Sequence, residues 1–383
     1  MLSTIQSSLA LYLAVEIFLM TMYKGKEKNI NINDVLTLAL MVTGIILSPH
    51  VQLWGIALNL PFEGKLHSLV RQFERFVANN RVDVRKYFEP FVQAMILSLG
   101  NETAYLIMDC TKSGRKCRTL FIGLAYHNTV IPVAWKTIKG KKGHVKGEFQ
   151  EALLSETHHL FSHCRRVIVL GDAEFSNETV INSPSLKNWG FVFRFQSNYQ
   201  VKLDDDGPWQ SAQEVFKQSG LKPGQVRHWE LSSYTQEHQI PGLTMTIHWG
   251  EGQEEPLFLI SLLKPDELAH LIYNIRFWIE TLFGNCKSRG FQLDRTEMTH
   301  PDQIDRLILG IAISTCFMLG LGTEIIVTEQ TDQVDRPDRR DLSIFQLGWR
   351  WLHRLIARNR LKELHLTFRW DINLPPAGFR PAT

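Results

Sequence analysis

The sequence predicts an α/β protein built on a mixed sheet with helices on both faces. Residues 1–100 show only helical patterns, and strands alternate with helices between residues 104 and 196 in the order β β β α β α β. A turn-rich stretch with three more strands, residues 197–265, interrupts this core as a β-rich insertion, and a basic helical segment ends the chain. Three meandering strands followed by alternating helices and strands are typical of such a sheet.

The composition is that of an ordinary globular protein. The 383 residues are enough for two or three domains, and 44% hydrophobic with 21% charged residues excludes a disordered chain. A net charge of +3 restricts any nucleic-acid-binding surface to a local patch. The five cysteines form no CxxC pair, so neither a zinc site nor a disulfide framework is expected. Reduced thiols indicate a cytoplasmic protein.

Four helices are predicted for the N-terminal domain. Asp34 and Asp83 are the expected N-caps of the second and fourth. The third carries Lys65, Arg71 and Arg75 on an amphipathic body, which suits a domain that binds DNA ends, although a solvated helix face explains the cations equally well. The predicted helices are Ser8–Tyr23, Asp34–Ser48, Lys65–Asn79 and Asp83–Leu99.

Two apolar stretches raise the alternative of a membrane protein. Leu9–Tyr23 contains Glu16 and has neither a basic n-region nor a small-residue cleavage site, so a signal peptide is not expected. Val35–Ser48 is uncharged but shorter than the roughly 20 residues of a spanning helix. We therefore expect buried helices and no membrane partner, with membrane association kept as an alternative.

Two aspartates are predicted at one edge of the sheet. The first strand ends in Asp109, and the fourth runs into Gly171 and Asp172. Functional sites in α/β sheets gather at the carboxyl ends of strands, so the aspartates share an edge if these strands are parallel neighbours. The predicted strands are Ala104–Asp109, Arg118–His127, Val130–Lys136, Arg166–Leu170 and Phe191–Gln196, with helices at Glu148–His163, Phe175–Asn188 and Gln303–Leu321.

A third acid lies on a predicted helix over residues 273–287. At 100° per residue, Tyr273, Arg276 and Lys287 all fall within roughly 40° of Glu280, and every other direction is apolar. A carboxylate in an otherwise apolar helix is costly unless it is paired or binds a metal. An i,i+4 ion pair between Arg276 and Glu280 is the simplest alternative.

Three carboxylates on separate elements predict a site for two Mg²⁺ ions, with Mn²⁺ able to substitute. Asp109 would touch both ions, while Asp172 and Glu280 would each flank one. Two such ions about 3.5–4 Å apart activate the attacking oxygen and stabilise the leaving oxygen at a phosphodiester. Arg276 and Lys287 would hold the phosphates by charge-assisted hydrogen bonds, and Tyr273 on the same stripe is a further predicted DNA contact.

Two basic segments supply further candidate DNA contacts. One is a glycine-rich loop that contains Lys139, Lys141, Lys142 and Lys146, although by itself a solvated loop is the better interpretation. The other, residues 336–362, has eight Lys and Arg residues interleaved with tryptophans; a capping helix with a wet basic face is its alternative.

The pattern Tyr273-x2-Arg276-x3-Glu280-x6-Lys287 resembles the Y-R-E-K signature of DDE transposases of the insertion-sequence-four type, to which the Tn-five transposase also belongs. GDAEF at 171–175 is similar to the second-aspartate motif of that family, and MDCT at 108–111 to its first. The β-rich insertion also lies where that family has one. The resemblance covers roughly residues 100–325.

The resemblance implies a ribonuclease H-like core with Mg²⁺-dependent cleavage at transposon ends and strand transfer into target DNA. It also implies double-stranded DNA as partner, a homodimer in a synaptic complex and a bacterial, nucleoid-associated protein. Trp209 is a weak candidate for holding a flipped base of a hairpin intermediate. The expected domains are a DNA-binding domain at 1–100, a catalytic core at 101–325 with the insertion, and a basic helical segment at 326–383.

Two other functions stay open besides an active cut-and-paste transposase. One is a catalytically inactive DNA-binding protein derived from such an element, against which the intact set of Asp109, Asp172 and Glu280 argues. The other is a ribonuclease H-like nuclease that only hydrolyses DNA. The cations at Arg276 and Lys287 suit an enzyme that holds long DNA but do not exclude hydrolysis alone.

Overall fold

The computed structural model describes residues 2–25, 30–62, 64–140, 145–337 and 341–372. The strands in this part of the chain are β1 Thr103–Lys112, β2 Cys117–Tyr126, β3 Thr129–Lys139, β4 Arg166–Gly171, β5 Gly190–Arg194, β6 Gln200–Lys202, β7 Trp209–Ser211, β8 Gln225–Leu231, β9 Ser233–Tyr234, β10 Leu243–Trp249 and β11 Leu257–Ser261.

The α-helices of the described residues are α1 Leu2–Tyr23, α2 Ile32–Leu47, α3 Leu53–Leu58, α4 Leu66–Ala78, α5 Val84–Leu99, α6 Gly147–His158, α7 Glu178–Ile181, α8 Pro184–Asn188, α9 Ala212–Ser219, α10 Ala269–Tyr273, α11 Ile279–Cys286, α12 Pro301–Val327 and α13 Ile344–Ala357.

The central feature is an eight-stranded mixed sheet in the order β3-β2-β1-β4-β5-β11-β10-β8. Strand β1 runs parallel to β4, and β4 runs parallel to β5, whereas the other neighbours are antiparallel. The condition under which the two aspartates share an edge, that the first and fourth strands are parallel neighbours, is therefore met. Strand β2 is buried along nearly its whole length, because helices cover both faces of this part of the sheet.

The insertion extends the main sheet instead of standing apart from it. Its strands β8, β10 and β11 lie where the sequence predicts strands, and β11 pairs with β5 through Ile260 and Phe193. Strands β6, β7 and β9 form a separate small sheet. The sequence could not predict the pairing of β11 with β5, because the free edge of β5 is visible only once the sheet is assembled.

The predicted helix over residues 175–188 is wrong. A 3₁₀ turn and two short helices, α7 and α8, take its place. The side chains of Asn177 and Ser183 each accept a hydrogen bond from a backbone N–H of the following helix, and Pro184 fills the first position of α8. Each cap starts a new short helix. The apolar pattern of the segment does not show these breaks, so it predicts one long helix instead.

The N-terminal helices α1, α2, α4 and α5 match the prediction, with two corrections. Helix α2 begins at Ile32, and its N-cap is Asn31 in place of Asp34, whereas Asp83 does cap α5. Helix α3 was not predicted, because its six residues are too few to show a helical period. The division of the chain near residues 100 and 325 stays a prediction.

Two helices in the described part of the chain are long and apolar enough to cross a membrane, judged by length and composition. One is Gln6–Tyr23, a third of which is buried. The other is Pro301–Val327, which is α12 and is fully buried within the protein. The core helix of a soluble protein passes the same test, so these helices are weak evidence for a membrane protein.

Three histidines meet between the insertion and α10, and they predict a pH-dependent stability. The ring of His270 lies 6.0 Å from that of His228 and 4.9 Å from that of His248. Burial lowers the pKa of all three imidazoles, so the unfolded chain binds more protons and the folded protein loses stability as the pH falls below about 6.5. Thermal unfolding between about pH 7.5 and 5.5 measures this loss.

A variant in which glutamine replaces His228, His248 and His270 shows whether these three groups cause the loss of stability. We expect the melting temperature of this variant to depend less on pH than that of the parent chain over the same range. An equally steep decline in both proteins would show that other groups are responsible.

Candidate active site

Asp109 lies inside β1, not at its end. Cys110, Thr111 and Lys112 continue the antiparallel pairing with β2, so the strand is three residues longer than predicted. The Oδ1 atom of Asp109 accepts the backbone N–H of Cys110 at 2.7 Å. Burial raises the pKa of Asp109 to about 6, and the neighbouring carboxylates of Asp172 and Glu174 act in the same direction. An acidic, partly desolvated site therefore surrounds this carboxylate.

Asp172 follows β4 directly and reaches the same edge. Ile107 of β1 pairs with Leu170 of β4, so Asp109 and Asp172 each come two residues after a paired position. The Oδ1 atom of Asp172 accepts the backbone N–H of Glu174 at 3.0 Å, which caps a 3₁₀ turn. The predicted juxtaposition of the two aspartates is confirmed.

The segment with the third acid is not one regular helix. It consists of α10, a 3₁₀ turn over Asn274–Trp278, and α11, and Lys287 follows the last residue of α11. The uniform 100° wheel is therefore wrong here. The surroundings of the polar residues are also less buried than expected, because Phe277 is 48% exposed. The apolar pattern does not distinguish a 3₁₀ turn from an α-helix over five residues.

Arg276 connects two of the acids. Its Nη1 atom lies 3.2 Å from Oδ2 of Asp109, and its Nη2 atom lies 4.0 Å from Oε1 of Glu280. The guanidinium also packs on the ring of Phe277. The Nε–H of Arg276 is buried and has no hydrogen-bond partner among the described residues. The predicted ion pair with Glu280 thus exists, but the closer partner is Asp109.

Lys287 and Tyr273 lie on either side of this pair. The ammonium of Lys287 donates to Oγ1 of Thr111, two residues after Asp109 on the same face of β1. Burial lowers the pKa of Lys287. Tyr273 is only 1% exposed, and burial raises its pKa to about 12, so it is a neutral phenol beneath the carboxylates.

Glu280 points towards solvent, with 64% of its side chain exposed. Among the described residues, no three His, Cys, Asp or Glu side chains are grouped so that they could hold a metal ion as placed. The donor set still has the chemistry that Mg²⁺ prefers, because Asp109 and Asp172 share one edge and Glu280 lies across Arg276 from them. Bringing Glu280 into such a site requires its exposed side chain to rotate.

The other candidate DNA contacts lie on elements that carry none of the three acids, and Lys139 ends β3, which runs parallel to β1 and so reaches the same edge of the sheet. Lys139 and Lys146 are exposed at the two ends of the basic loop, and Lys141 and Lys142 are outside the described residues. Lys65, Arg71 and Arg75 are exposed on or next to α4. Trp209 is half-buried in β7 of the small sheet.

Sequence reasoning did not single out the ion pair between Glu174 and Arg118. Glu174 belongs to the turn that Asp172 caps, and Arg118 lies on β2. The sequence signal for this pair is the second acid of GDAEF, Glu174, which follows Asp172 by two residues.

Acids at a sheet edge with buried cations beside them are the groups with which metal-dependent enzymes act on phosphodiesters. The chain belongs to the transposase DDE domain family, whose model matches residues 100–317, more than half of the chain. It is therefore a transposase of the DDE class, a class of DNA endonucleases and strand transferases that generally use divalent metals.

None of the curated proteins matches the chain in sequence. A similar solved structure is the cryo-EM structure of the piggyBac transposase synaptic complex with hairpin DNA. It has 13% sequence identity and a TM-score of 0.43, and the match covers 88% of this chain and 74% of that one.

Proposed function

We propose that this protein cleaves DNA at transposon ends and transfers the ends into target DNA, with Asp109, Asp172 and Glu280 as the metal-binding acids. The observation that carries the proposal is the common sheet edge of Asp109 and Asp172, with Arg276 bound to Asp109 at 3.2 Å. We further propose the insertion-sequence-four type and a ribonuclease H-like core. The two parallel neighbours β1 and β4 beside an antiparallel β2 and β3 support that core.

The fit to Mg²⁺ rests on the donors and their charge. Burial raises the pKa of Asp109 to about 6, and the nearby carboxylate of Asp172 acts in the same direction. Asp109 and Asp172 would hold a divalent cation that offsets their negative charge, and the bound cation would activate an attacking water or hydroxyl group and stabilise the leaving oxygen. The guanidinium of Arg276, 3.2 Å from Asp109, partly offsets the charge of this carboxylate.

Arg276 and Lys287 are proposed to hold the DNA backbone. In the part of the chain that the structure describes, the buried Nε–H of Arg276 has no acceptor, and a phosphate oxygen would satisfy this donor. Lys287 is held by Thr111 beside the acids, so its charge is fixed near the position of a scissile phosphate. Tyr273 is proposed to position this cluster from below, since it is buried.

Double-stranded DNA, both transposon ends and target, is the proposed partner, bound by a homodimer in a synaptic complex. Exposed cations at Lys139, Lys146, Arg71 and Arg75 support a surface that follows the phosphate backbone. Cut-and-paste transposition in the bacterial cytoplasm, at the nucleoid, remains part of this proposal. Two Mg²⁺ ions are the proposed cofactor.

The test is plasmid nicking by the purified protein with Mg²⁺ or Mn²⁺, beside Asp172→Ala and Glu280→Ala. We expect metal-dependent nicking that falls by about 10²-fold or more in both variants, because each removes one metal ligand. Glu237→Ala, an exposed acid of the insertion, is the matched control and should nick normally. Nicking that survives in Asp172→Ala and Glu280→Ala would refute the assigned site.

A catalytically inactive DNA-binding protein is the second candidate. The exposed Glu280 and the absence of a preformed three-acid group in the described residues favour it. The same proteins decide between the two functions when labelled transposon ends replace the plasmid. Binding of the ends without cleavage at any metal concentration would establish the second candidate.

A further inference from the structure

Arg118 of β2 is a largely buried cation near the two aspartates. It pairs with Lys112 of β1 and so lies on the face of the sheet opposite to Asp109. Arg118 of β2 has 15% of its side chain exposed, and its Nη2 atom lies 3.8 Å from Oε2 of Glu174, which is 9% exposed. Arg118 also contacts the side chain of Cys110, the residue next to Asp109. One guanidinium therefore touches both segments that carry the aspartates.

Glu174 is held by more than this ion pair. The buried Gln150 of α6 donates its Nε2–H to the carbonyl of Val145 at 3.0 Å and to the carbonyl of Glu174 at 3.4 Å. Asn177 donates to Oε1 of Gln150 at 2.8 Å and to the same carbonyl of Glu174 at 3.0 Å. The turn that begins with Asp172 is thus fastened to α6 and to β2 through Glu174.

An ion pair is an expensive way to fasten a turn at this position. Burying two charges costs several kcal/mol that their attraction only partly returns, and a well-packed apolar pair often stabilises a fold equally well. Glu174 also adds a further negative charge beside Asp109 and Asp172. Stability alone therefore does not account for this pair, whereas a function in the geometry of the site does.

We propose that Glu174 and Arg118 are positioning residues that hold the Asp172 turn against β1 and so fix the separation of Asp109 and Asp172 for a divalent metal. The proposal rests on the metal site assigned above. Neither residue contacts the metal or the DNA in this scheme. Arg118 supplies a fork that reaches Cys110 and Glu174 together, which a lysine at the same position would not reproduce.

The test measures Mn²⁺ binding to the full-length protein by electron paramagnetic resonance, without DNA. The first variant is Glu174→Gln, which retains a group of the same shape and removes the charge. The second is the apolar pair Arg118→Met with Glu174→Leu. We expect Mn²⁺ affinity to fall about tenfold in both, as for loss of outer-shell support, with the melting temperature of the apolar pair at or near that of the parent.

The matched control is the ion pair of Arg85 and Glu156, 3.0 Å apart and far along α6 from the acids. Arg85→Met with Glu156→Leu should bind Mn²⁺ as the parent does. Parent-like affinity in a folded apolar Arg118 and Glu174 pair would overturn the proposal and leave a purely structural ion pair. If Glu174→Gln lost affinity only by unfolding, the apolar pair would still decide the question.

Asp109→Ala separates this proposal from the function on which it rests. Loss of Mn²⁺ binding in Asp109→Ala, together with weakened binding in the apolar pair, supports both. Loss in Asp109→Ala with parent-like binding in the apolar pair overturns only the positioning role. Unchanged binding in Asp109→Ala overturns the metal site and the positioning role with it.

Discussion

Asp109→Asn is expected to lower Mg²⁺-dependent nicking by at least about 10³-fold and to make the metal-free protein more stable near pH 7. The loss of activity corresponds to roughly 4 kcal/mol of transition-state stabilisation, because Asp109 is the ligand proposed to touch both ions. A nearly isosteric amide removes the charge and keeps the shape. The two effects have opposite signs, which distinguishes a metal ligand from a residue that merely holds the fold together.

The sign of the stability change follows from the pKa. Burial raises the pKa of Asp109 from 3.8 to about 6, so the folded chain holds this proton more tightly than the unfolded chain. The associated stability is complete below the unfolded value and is lost as the pH rises through about 6. The higher pKa of Asp109 in the folded chain means that ionising this carboxyl group costs the folded protein roughly 3 kcal/mol of stability at neutral pH. Asp109→Asn, which carries no charge, recovers part of this stability near pH 7 and none of it near pH 4.

Urea unfolding in the presence of a chelator, at about pH 4 and about pH 7, measures this difference. The expected result is a gain for Asp109→Asn at the higher pH only. A variant that is less stable than the parent at both values would contradict the assignment, because it would show that the pairing with Arg276 outweighs the cost of burial.

Gly348→Ala is expected to destabilise the protein by about 3 kcal/mol and to lower its melting temperature by roughly 5 °C. A Cβ on Gly348 would lie 1.8 Å from the backbone oxygen of Met318, and one on Gly322 would lie 2.0 Å from that of Ile344. Helices α12 and α13 therefore meet backbone to backbone. No side chain can rotate away to relieve the clash, so the helices must separate.

Ala357→Gly on the same helix is the matched control. It exchanges the same two residue types at the exposed last residue of α13, and it should cost no more than about 0.5 kcal/mol, less than a glycine in the helix interior. Differential scanning calorimetry on both variants makes the comparison. A loss for Gly348→Ala no larger than that of the control would mean that α12 and α13 are not in close contact in solution.

The sequence was sufficient for the local parts of this site. Strand patterns placed Asp172 correctly after β4, and they brought Asp109 to the same edge although β1 continues beyond it to Lys112. The spacing of Arg276, Glu280 and Lys287 likewise gathered groups that the structure brings to one side of the sheet. The 3₁₀ turn at Asn274–Trp278 was not predictable, since both helix types bury apolar residues three or four positions apart.

The parts that sequence did not reveal depend on contacts between distant segments. Arg118 and Glu174 are ordinary charged residues until β2 and the Asp172 turn are brought together. The closer partner of Arg276 is Asp109, 167 positions away, and no helical pattern could show that. The pairing of β11 with β5 likewise joins a strand of the core to the last strand of the insertion.

The position of β11 beside β5 limits how this protein can be shortened. Phe191, Val192 and Phe193 of β5 are fully buried, and β11 hydrogen-bonds along their strand. Deletion of the insertion would leave β5 as an unprotected edge with open backbone donors and acceptors, which is a template for pairing with other chains. A shorter homologue can therefore remain soluble only if another strand, a charged residue or a covering helix guards that edge.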